Sequence, residues 1–252
     1  MMTLKEKSTI IKSLQTSLES ISSQKKKEWW EKYMRYVIEF RGVGIPEIRK
    51  IQKDWYVNYL SHLSYEEQAE VAMALFEETL AEDKLAGVLL FQNYLYDKVS
   101  LEYMMQQYER VFEKELIYDW NICDWFCVRV LSKTIKLYDM QAVDRISKWK
   151  DESYLWQARA SVVAFIGLTA HREYYPAIFE NCSTLIKRDE RFSKTAVGWI
   201  LHDIYKEDKE MVLHFIDQNL KYFDNESLKN ALKYTDKGLL QEYVKKLKKD
   251  QS

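Results

Sequence analysis

The sequence predicts an all-α fold of HEAT- or armadillo-like helical repeats, and three observations support this prediction. Only 6 glycines and 2 prolines occur in 252 residues, too few for the frequent turns of a many-stranded β protein. Apolar residues recur with the 3.6-residue period of amphipathic helices. Similar segments also return every 36 residues, a spacing typical of stacked helix pairs.

Individual helices can be placed from local signals. Pro46 fits the first turn of a helix, and Pro176 fits the first turn of a later one. The stretch 64–84 predicts an amphipathic helix, because Ser64 and a glutamate three residues later form a capping box. The stretch 83–99 predicts a buried partner helix.

The composition is that of a globular protein, with 47% hydrophobic and 31% charged residues. We expect one helical-repeat domain over residues 1–252, ending in a Lys-rich tail that is frayed or solvated. No apolar run approaches the roughly 18 residues of a membrane span, and the amino-terminal segment lacks the apolar stretch of a signal peptide. Three cysteines do not indicate a disulfide framework, so a cytoplasmic location and no membrane partner are expected.

The repeat defines a register. Trp120, Trp156 and Phe192 are spaced 36 residues apart and begin similar helical segments, and one more step back reaches Lys84. Each repeat buries a face against its neighbours, so the repeats are expected to stack into a superhelix (an α-solenoid) with a concave groove.

Counting from each repeat start as position 0, the positions 0, +3, +4 and +7 share one helix face. Trp120 and Trp156 occupy position 0, Arg159 position +3, Asp124 position +4 and Trp199 position +7. Burying charge is costly, so this combination of indoles, a carboxylate and a guanidinium favours the wall of a ligand-binding groove. The alternative is core packing of the indoles with a structural ion pair.

These side chains suit a particular ligand. Indole faces attract cations, a carboxylate stabilises positive charge or orients a water, and an arginine binds phosphate. A flat, cationic group attached to a phosphate backbone fits this combination, as an alkylated nucleobase in DNA does.

Four segments carry a family resemblance: KYMRYVIEFRGVGIPEIRK at 32–50, YDWNICDWFCVRVLSK at 118–133, YLWQARASVVAF at 154–165 and RFSKTAVGWILHDIYK at 191–206. Together they resemble the bacterial HEAT-like-repeat DNA alkylation-repair glycosylases, the AlkD family, over roughly residues 30–220. The resemblance implies hydrolysis of the N-glycosidic bond of cationic N3- and N7-alkylated purines in duplex DNA, without base flipping.

The resemblance also implies roles for single residues. Trp120 resembles the indole at the lesion-bearing deoxyribose, and Asp124 resembles the carboxylate that stabilises the sugar cation and positions water. Arg159 resembles the arginine on the DNA backbone, Trp199 the second indole of the cleft, and Tyr33 a tyrosine facing that cleft. No lysine occupies these positions, so a monofunctional glycosylase is expected rather than a Schiff-base lyase.

Double-stranded DNA with alkylated bases is the expected partner of a monomer, with no cofactor. The pI near 6.5 predicts modest affinity that falls as salt rises. Cys123 and Cys127 lack the spacing of a zinc site, so no metal is expected. The alternative function is a non-catalytic helical-repeat protein that binds DNA structures or a protein. The candidate DNA-contacting basic residues are Arg129, Lys133, Lys187, Arg188, Arg191 and Lys194.

Overall fold

The computed structural model describes residues 2–250, and these residues form an all-α protein. Within that range no strand occurs, and extended pairing is limited to one isolated bridge between Glu39 and Leu80. The predicted all-α class is therefore confirmed. None of the helices in the described chain is long and apolar enough to cross a membrane.

Contacts divide the chain into two compact units, Met1–Val130 and Leu131–Ser252. We call them unit 1 and unit 2. The expectation of one domain over residues 1–252 stays a prediction.

Unit 1 contains helices joined by short turns, and three of them pass into a π-helical turn. Those π-helical turns are Tyr56–Leu60, Phe91–Leu95 and Cys127–Leu131, the last ending one residue into unit 2. The α-helices are α1 (Leu4–Glu19), α2 (Gln24–Tyr33), α3 (Ile45–Trp55), α4 (Tyr65–Glu77), α5 (Ala81–Leu90), α6 (Leu101–Glu113) and α7 (Trp120–Phe126).

Unit 2 is also built from helices, several of which are preceded or followed by a single 3₁₀ turn. They are α8 (Ser132–Tyr138), α9 (Met140–Ser147), α10 (Leu155–Val163), α11 (Tyr175–Leu185), α12 (Arg191–Ile204), α13 (Lys209–Asn219), α14 (Asn225–Ala231) and α15 (Lys237–Asp250). Most of the Lys-rich tail therefore belongs to α15, and its last two residues lie outside the described range.

The predicted helix starts are confirmed. Pro46 and Pro176 lie in the first turns of α3 and α11. The Ser64 hydroxyl accepts a hydrogen bond from the backbone N–H of Glu67, and the Glu67 carboxylate accepts one from Ser64 N–H, so the capping box is complete.

The predicted boundary between 64–84 and 83–99 is wrong. Helix α4 ends at Glu77, and α5 begins at Ala81 and continues as α-helix only to Leu90. No glycine or proline marks the break. Instead, Ala81 N–H donates to the Glu39 carbonyl at 2.9 Å, and the Lys84 ammonium donates to the Phe76 carbonyl. These tertiary hydrogen bonds satisfy backbone groups that a continuous helix would otherwise pair.

The 36-residue register appears in the helix starts. Helix α7 begins at position 0 itself, and α10 and α12 begin one residue before it. Side-chain hydrogen bonds also join residues about one repeat apart within each unit. Gln52 donates to the Ala86 carbonyl at 2.7 Å, and Arg188 donates to the Glu152 carbonyl at 2.7 Å. Neighbouring repeats are thus linked by polar contacts as well as by packing.

The loop before α3 is hydrogen-bonded to the first turn of α5. Glu82 is fully buried and accepts hydrogen bonds from the backbone N–H groups of Arg41, Gly42 and Val43 at 2.7–2.9 Å. The Arg41 guanidinium makes a bidentate pair with Asp83 at 2.8 and 3.1 Å. Gly42 has a φ of +90°, and a Cβ there would lie 2.2 Å from the Ser23 carbonyl oxygen, so only glycine fits.

An aromatic core supports α7 from within unit 1. The buried Phe126 ring has edge-to-face contacts with Phe76 at 5.9 Å, Tyr108 at 5.3 Å and Phe112 at 5.9 Å between centroids. Such contacts add to the hydrophobic stabilisation of a buried ring. This face of α7 is held in the core, while Trp120 and Asp124 are only partly buried.

Candidate functional site

Helix α7 begins at a side-chain cap. Asp119 is the N-cap residue, and its Oδ1 accepts a hydrogen bond from Ile122 N–H at 3.0 Å. Trp120 is the first helical residue and Asp124 follows one turn later, so both project from one side of the helix. Both side chains are half-buried.

Asp124 departs from the pattern of the repeat. At the same position +4, the neighbouring repeats carry Val88, Ala160 and Ala196, all of which are completely buried. A carboxylate that is partly exposed therefore stands where the repeat otherwise places a small apolar core residue. Residues that break the local rule of a fold mark candidate functional positions.

Two aromatic residues of α2 extend from Trp120 toward solvent. The Tyr33 ring is edge-on to the Trp120 ring, with centroids 5.7 Å apart and an interplanar angle of 75°. On its other side Trp29 stacks on Tyr33 at 5.2 Å and 9°. Tyr33 and Trp29 are 53% and 58% exposed. The sequence analysis selected Tyr33 and missed Trp29.

Helix α2 is unusual because none of its residues is buried. Lys26 and Lys27 pair with Glu47 at 3.3 Å and Glu31 at 3.7 Å. Exposed basic residues also lie close to the aromatic pair in the sequence. We define the α2 surface as Lys25, Trp29, Lys32, Tyr33 and Arg35. The interleaved run KKKEWWEKYMR is the sequence signal that could have identified it.

In unit 2, Arg159 and Trp156 contribute to packing. Arg159 is 4% exposed and donates to the Phe192 carbonyl at 2.6 Å and to the Thr195 hydroxyl at 3.4 Å. Trp156 is 8% exposed and packs on the Phe192 ring at 5.1 Å. These contacts tie the start of α10 to the start of α12. Trp199 lies in α12 and is half-buried.

Most of the basic candidates in unit 2 have partners within the unit. Arg188 binds the carbonyls of residues 152 and 153 and pairs with Glu190. Arg191 makes a bidentate pair with Glu226 at 2.7 Å, and Lys194 donates to the Tyr222 carbonyl at 2.6 Å. Lys187 lies 5.8 Å above the Tyr222 ring. Lys133 is half-buried at the start of α8.

Arg129 is the basic candidate of unit 1. It is exposed, and its guanidinium lies 5.1 Å above the Trp125 ring. This cation–π contact orients the side chain on the same short segment that carries Asp124, while leaving its N–H donors available to an anion.

Two buried ionisable groups, Asp119 and Lys84, lie near the start of α7. Asp119 is 2% exposed, and burial raises its pKa to about 6. Lys84 is also 2% exposed, and burial lowers its pKa to about 8. Its ammonium donates to the Leu116 carbonyl at 3.0 Å and lies 5.1 Å from the Tyr118 ring centre.

The described residues contain no cluster of three or more His, Cys, Asp or Glu side chains that could hold a metal. Cys123 and Cys127 are buried and form no disulfide, and their sulfurs lie 4.0 Å apart. Charged groups that a ligand could reach include the Asp124 carboxylate on α7 and the Arg129 guanidinium on the π-helical turn that follows it.

Comparison with known proteins assigns the chain to a family. The sequence profile of the DNA alkylation repair enzymes matches residues 14–235. The chain belongs to the DNA alkylation repair enzyme family. No curated protein sequence matches it. The resemblance stated from the four segments is thereby confirmed, and the family function is DNA alkylation repair.

Solved structures of similar proteins share the fold. A protein described as a predicted DNA alkylation repair enzyme from Enterococcus faecalis is 16% identical, with a TM-score of 0.74, covering 86% of this chain and 97% of that one. AlkD2 from Streptococcus mutans is 18% identical, with a TM-score of 0.54, covering 84% and 99%. A second Streptococcus mutans protein, smu.31, is 18% identical, with a TM-score of 0.52, covering 76% and 98%. These likenesses show the helical-repeat fold.

Proposed function

We propose that this family member is a monofunctional DNA glycosylase that hydrolyses the N-glycosidic bond of cationic N3- and N7-alkylated purines in duplex DNA. The observation that carries the proposal is the Asp124 carboxylate, partly exposed one turn after Trp120, at a position where three other repeats bury Val or Ala.

The chemistry needs little beyond a carboxylate. An alkylated purine is already cationic, so it leaves with the electrons of the C1′–N bond as an uncharged base. Positive charge then develops on the deoxyribose, and the Asp124 carboxylate stabilises it electrostatically. A water molecule supplies the oxygen that bonds to C1′ and transfers a proton to the carboxylate, leaving an abasic site.

The aromatic rings complete the proposed site. The faces of Trp120 and Tyr33 stabilise the cationic sugar as they would any cation. For Trp199 we propose the role that the family resemblance implies, a second indole that contacts the substrate. Because the catalytic groups act on the sugar, the base itself needs no enclosing pocket. We therefore propose that the lesion is removed without base flipping, in contrast to most glycosylases.

Duplex DNA is the proposed partner, and the protein acts as a monomer without a cofactor. The α2 surface supplies exposed cations beside aromatic rings, and Arg129 and Lys187 supply further charge. Arg159 is the proposed phosphate ligand of unit 2, and Trp156 lines the same wall. Arg188, Arg191, Lys194 and Lys133 are assigned secondary backbone contacts, since they already have partners within the protein.

The test is release of free base from duplex DNA containing N7-methylguanine or N3-methyladenine, measured in single-turnover reactions. Wild type is compared with Asp124→Asn, which keeps the shape of the side chain and removes its charge. Asp144→Asn is the matched control, because Asp144 is an exposed carboxylate on α9. We expect Asp124→Asn to release base about 10²–10³-fold more slowly than wild type, and the control to match wild type.

Two other outcomes decide between functions. If wild type binds the duplex and releases no base from either lesion, the protein is a non-catalytic DNA-binding member of the family. If Asp124→Asn and wild type release base at the same rate, the protein is a glycosylase whose carboxylate lies elsewhere.

A further inference from the structure

Asp119 is a buried carboxylate that the proposed reaction does not use. One of its oxygens, Oδ1, caps the first turn of α7 through Ile122 N–H. The other, Oδ2, has no hydrogen-bond partner among the described residues. An unsatisfied buried polar atom is costly, and in a native protein it asks for an explanation. Asp119 lies at the amino-terminal end of α7, the helix that carries Trp120 and Asp124.

This cap distinguishes α7 from the equivalent helices. The N-cap residues of α5, α10 and α12 are Leu80, Tyr154 and Glu190, and none of them makes a side-chain cap hydrogen bond. The helices that occupy the same place in the repeat as α7 therefore begin without a side-chain cap. The buried carboxylate is a feature of the helix that carries the candidate site.

Three charged or titratable groups face Asp119. The Lys84 ammonium comes from α5 and favours the ionised carboxylate, while Asp124 of α7 disfavours it. Tyr118 precedes Asp119 in the chain, and its pKa is raised by burial and by the Asp119 charge. Lys84 is itself buried and held by two backbone carbonyls, so its ammonium is a fixed charge and not a mobile surface group.

We propose that Asp119 is a positioning residue: its ionised carboxylate, balanced by Lys84, holds the first turn of α7 and adds negative potential at Asp124. The inference rests on the proposed glycosylase function. A charged acceptor makes a stronger cap than a neutral one and interacts favourably with the positive end of the helix. Its charge also adds to the field that stabilises the cationic sugar.

The direction of the pH dependence follows from burial. With a pKa near 6, Asp119 is ionised at pH 8 and mostly protonated at pH 5, whereas an ordinary aspartate would be ionised throughout. Lys84 loses its charge above a pKa of about 8. Asp119 and Lys84 are therefore both charged mainly between pH 6 and pH 8, and the contribution of Asp119 to base release is lost as the pH falls through 6.

The first experiment measures the electrostatic coupling of Asp119 to Lys84 and Asp124 without any catalysis. Asp119 is observed by carbon-13 NMR of aspartate-labelled full-length protein, and its signal is assigned by its absence in Asp119→Asn. We expect a midpoint near pH 6 in wild type, a lower midpoint in Asp124→Asn and a higher one in Lys84→Met. A midpoint near pH 4 that neither variant moves would overturn the inference.

The second experiment measures the effect on chemistry. Asparagine is also a good N-cap, so Asp119→Asn removes the charge and keeps the cap, whereas Asp119→Ala removes both. We expect wild type and Asp119→Asn to release base equally at pH 5. At pH 7.5 wild type should be faster by on the order of fivefold, a difference in barrier of about 1 kcal/mol.

A ratio that stays constant from pH 5 to pH 8 would show that Asp119 is only a structural cap and would overturn the inference. If wild type releases no base at any pH, the proposed function fails. The NMR midpoints then still decide whether the charged pair exists and is coupled to Asp124.

Discussion

Helix α7 of unit 1 and helix α10 of unit 2 occupy the same place in the repeat and are used differently. Trp156 at position 0 of α10 is buried on Phe192, whereas Trp120 at position 0 of α7 is half-buried beside the exposed Tyr33. At position +4, α10 has the buried Ala160 and α7 has Asp124. One copy of a repeated helix can therefore lose part of its core pattern while its equivalents keep it.

The two helices also begin differently. A buried carboxylate caps α7, while α10 has no side-chain cap and is tied to the next repeat through Arg159. Polar residues in α10 therefore serve packing between repeats, and those at the start of α7 serve the placement of Trp120 and Asp124.

The largest expected effect on stability comes from adding a carboxylate at the equivalent position of α10 in unit 2. Ala160→Asp would bury a charge at a fully enclosed position, and we expect it to lower the free energy of unfolding by about 4 kcal/mol or more. Urea unfolding followed by circular dichroism measures this. A loss below 1 kcal/mol would mean that α10 tolerates charge as α7 does, and the contrast between the helices would disappear.

Alanine substitutions of Trp156 and Trp120 should affect stability and base release in opposite order. Trp156→Ala should cost about 3–5 kcal/mol of unfolding free energy, as expected for a buried indole, and Trp120→Ala should cost less. Base release should follow the opposite order, with the larger loss per folded molecule in Trp120→Ala. Equal stability losses in the two variants would contradict the assignment of Trp120 to the site.

Arg159 tests whether a packing arginine also contacts DNA. Arg159→Ala should lower the unfolding free energy by about 2 kcal/mol, because the hydrogen bond from a charged donor to the Phe192 carbonyl is lost. If Arg159 also contacts phosphate, the slope of log affinity against log salt should fall by about 1. Arg172→Ala is the control, since Arg172 bonds a carbonyl 35 residues away but is exposed. An unchanged slope would leave Arg159 as a packing residue.

The smallest expected effect on stability belongs to the α2 surface. Trp29 is exposed, so Trp29→Leu should change the unfolding free energy by no more than about 0.5 kcal/mol. Its affinity for duplex DNA should fall several-fold, because the ring that stacks on Tyr33 is lost. Tyr65→Leu, at an exposed aromatic residue at the start of α4, should leave the affinity unchanged. Equal affinities of wild type and Trp29→Leu would remove α2 from the proposed interface.

Much of the fold was predictable because it depends on local and periodic signals. Scarce glycine and proline, the Ser64 capping box and the 36-residue spacing are all visible in the sequence. The break between α4 and α5 was not predictable, because a backbone bond from Ala81 to the Glu39 carbonyl defines it. Contacts between distant segments leave no trace in a local pattern.

The candidate site divides in the same way. Trp120, Asp124 and Tyr33 were identified from register and resemblance, and the structure brings the two rings within 5.7 Å. Trp29 was missed because the repeat register does not extend to α2. Asp119 was missed because a single aspartate at a helix start resembles any other cap, and only its burial distinguishes it.

The central claim is that α7 carries a catalytic carboxylate, Asp124, at the position where the equivalent helices carry a buried apolar residue. The most direct measurement is base release by Asp124→Ala, which carries the residue found at the same position in α10 and α12. The account predicts a variant that unfolds cooperatively and binds duplex DNA, with base release slower than wild type by a factor of about 100 or more. Base release at the wild-type rate by this folded variant would contradict it.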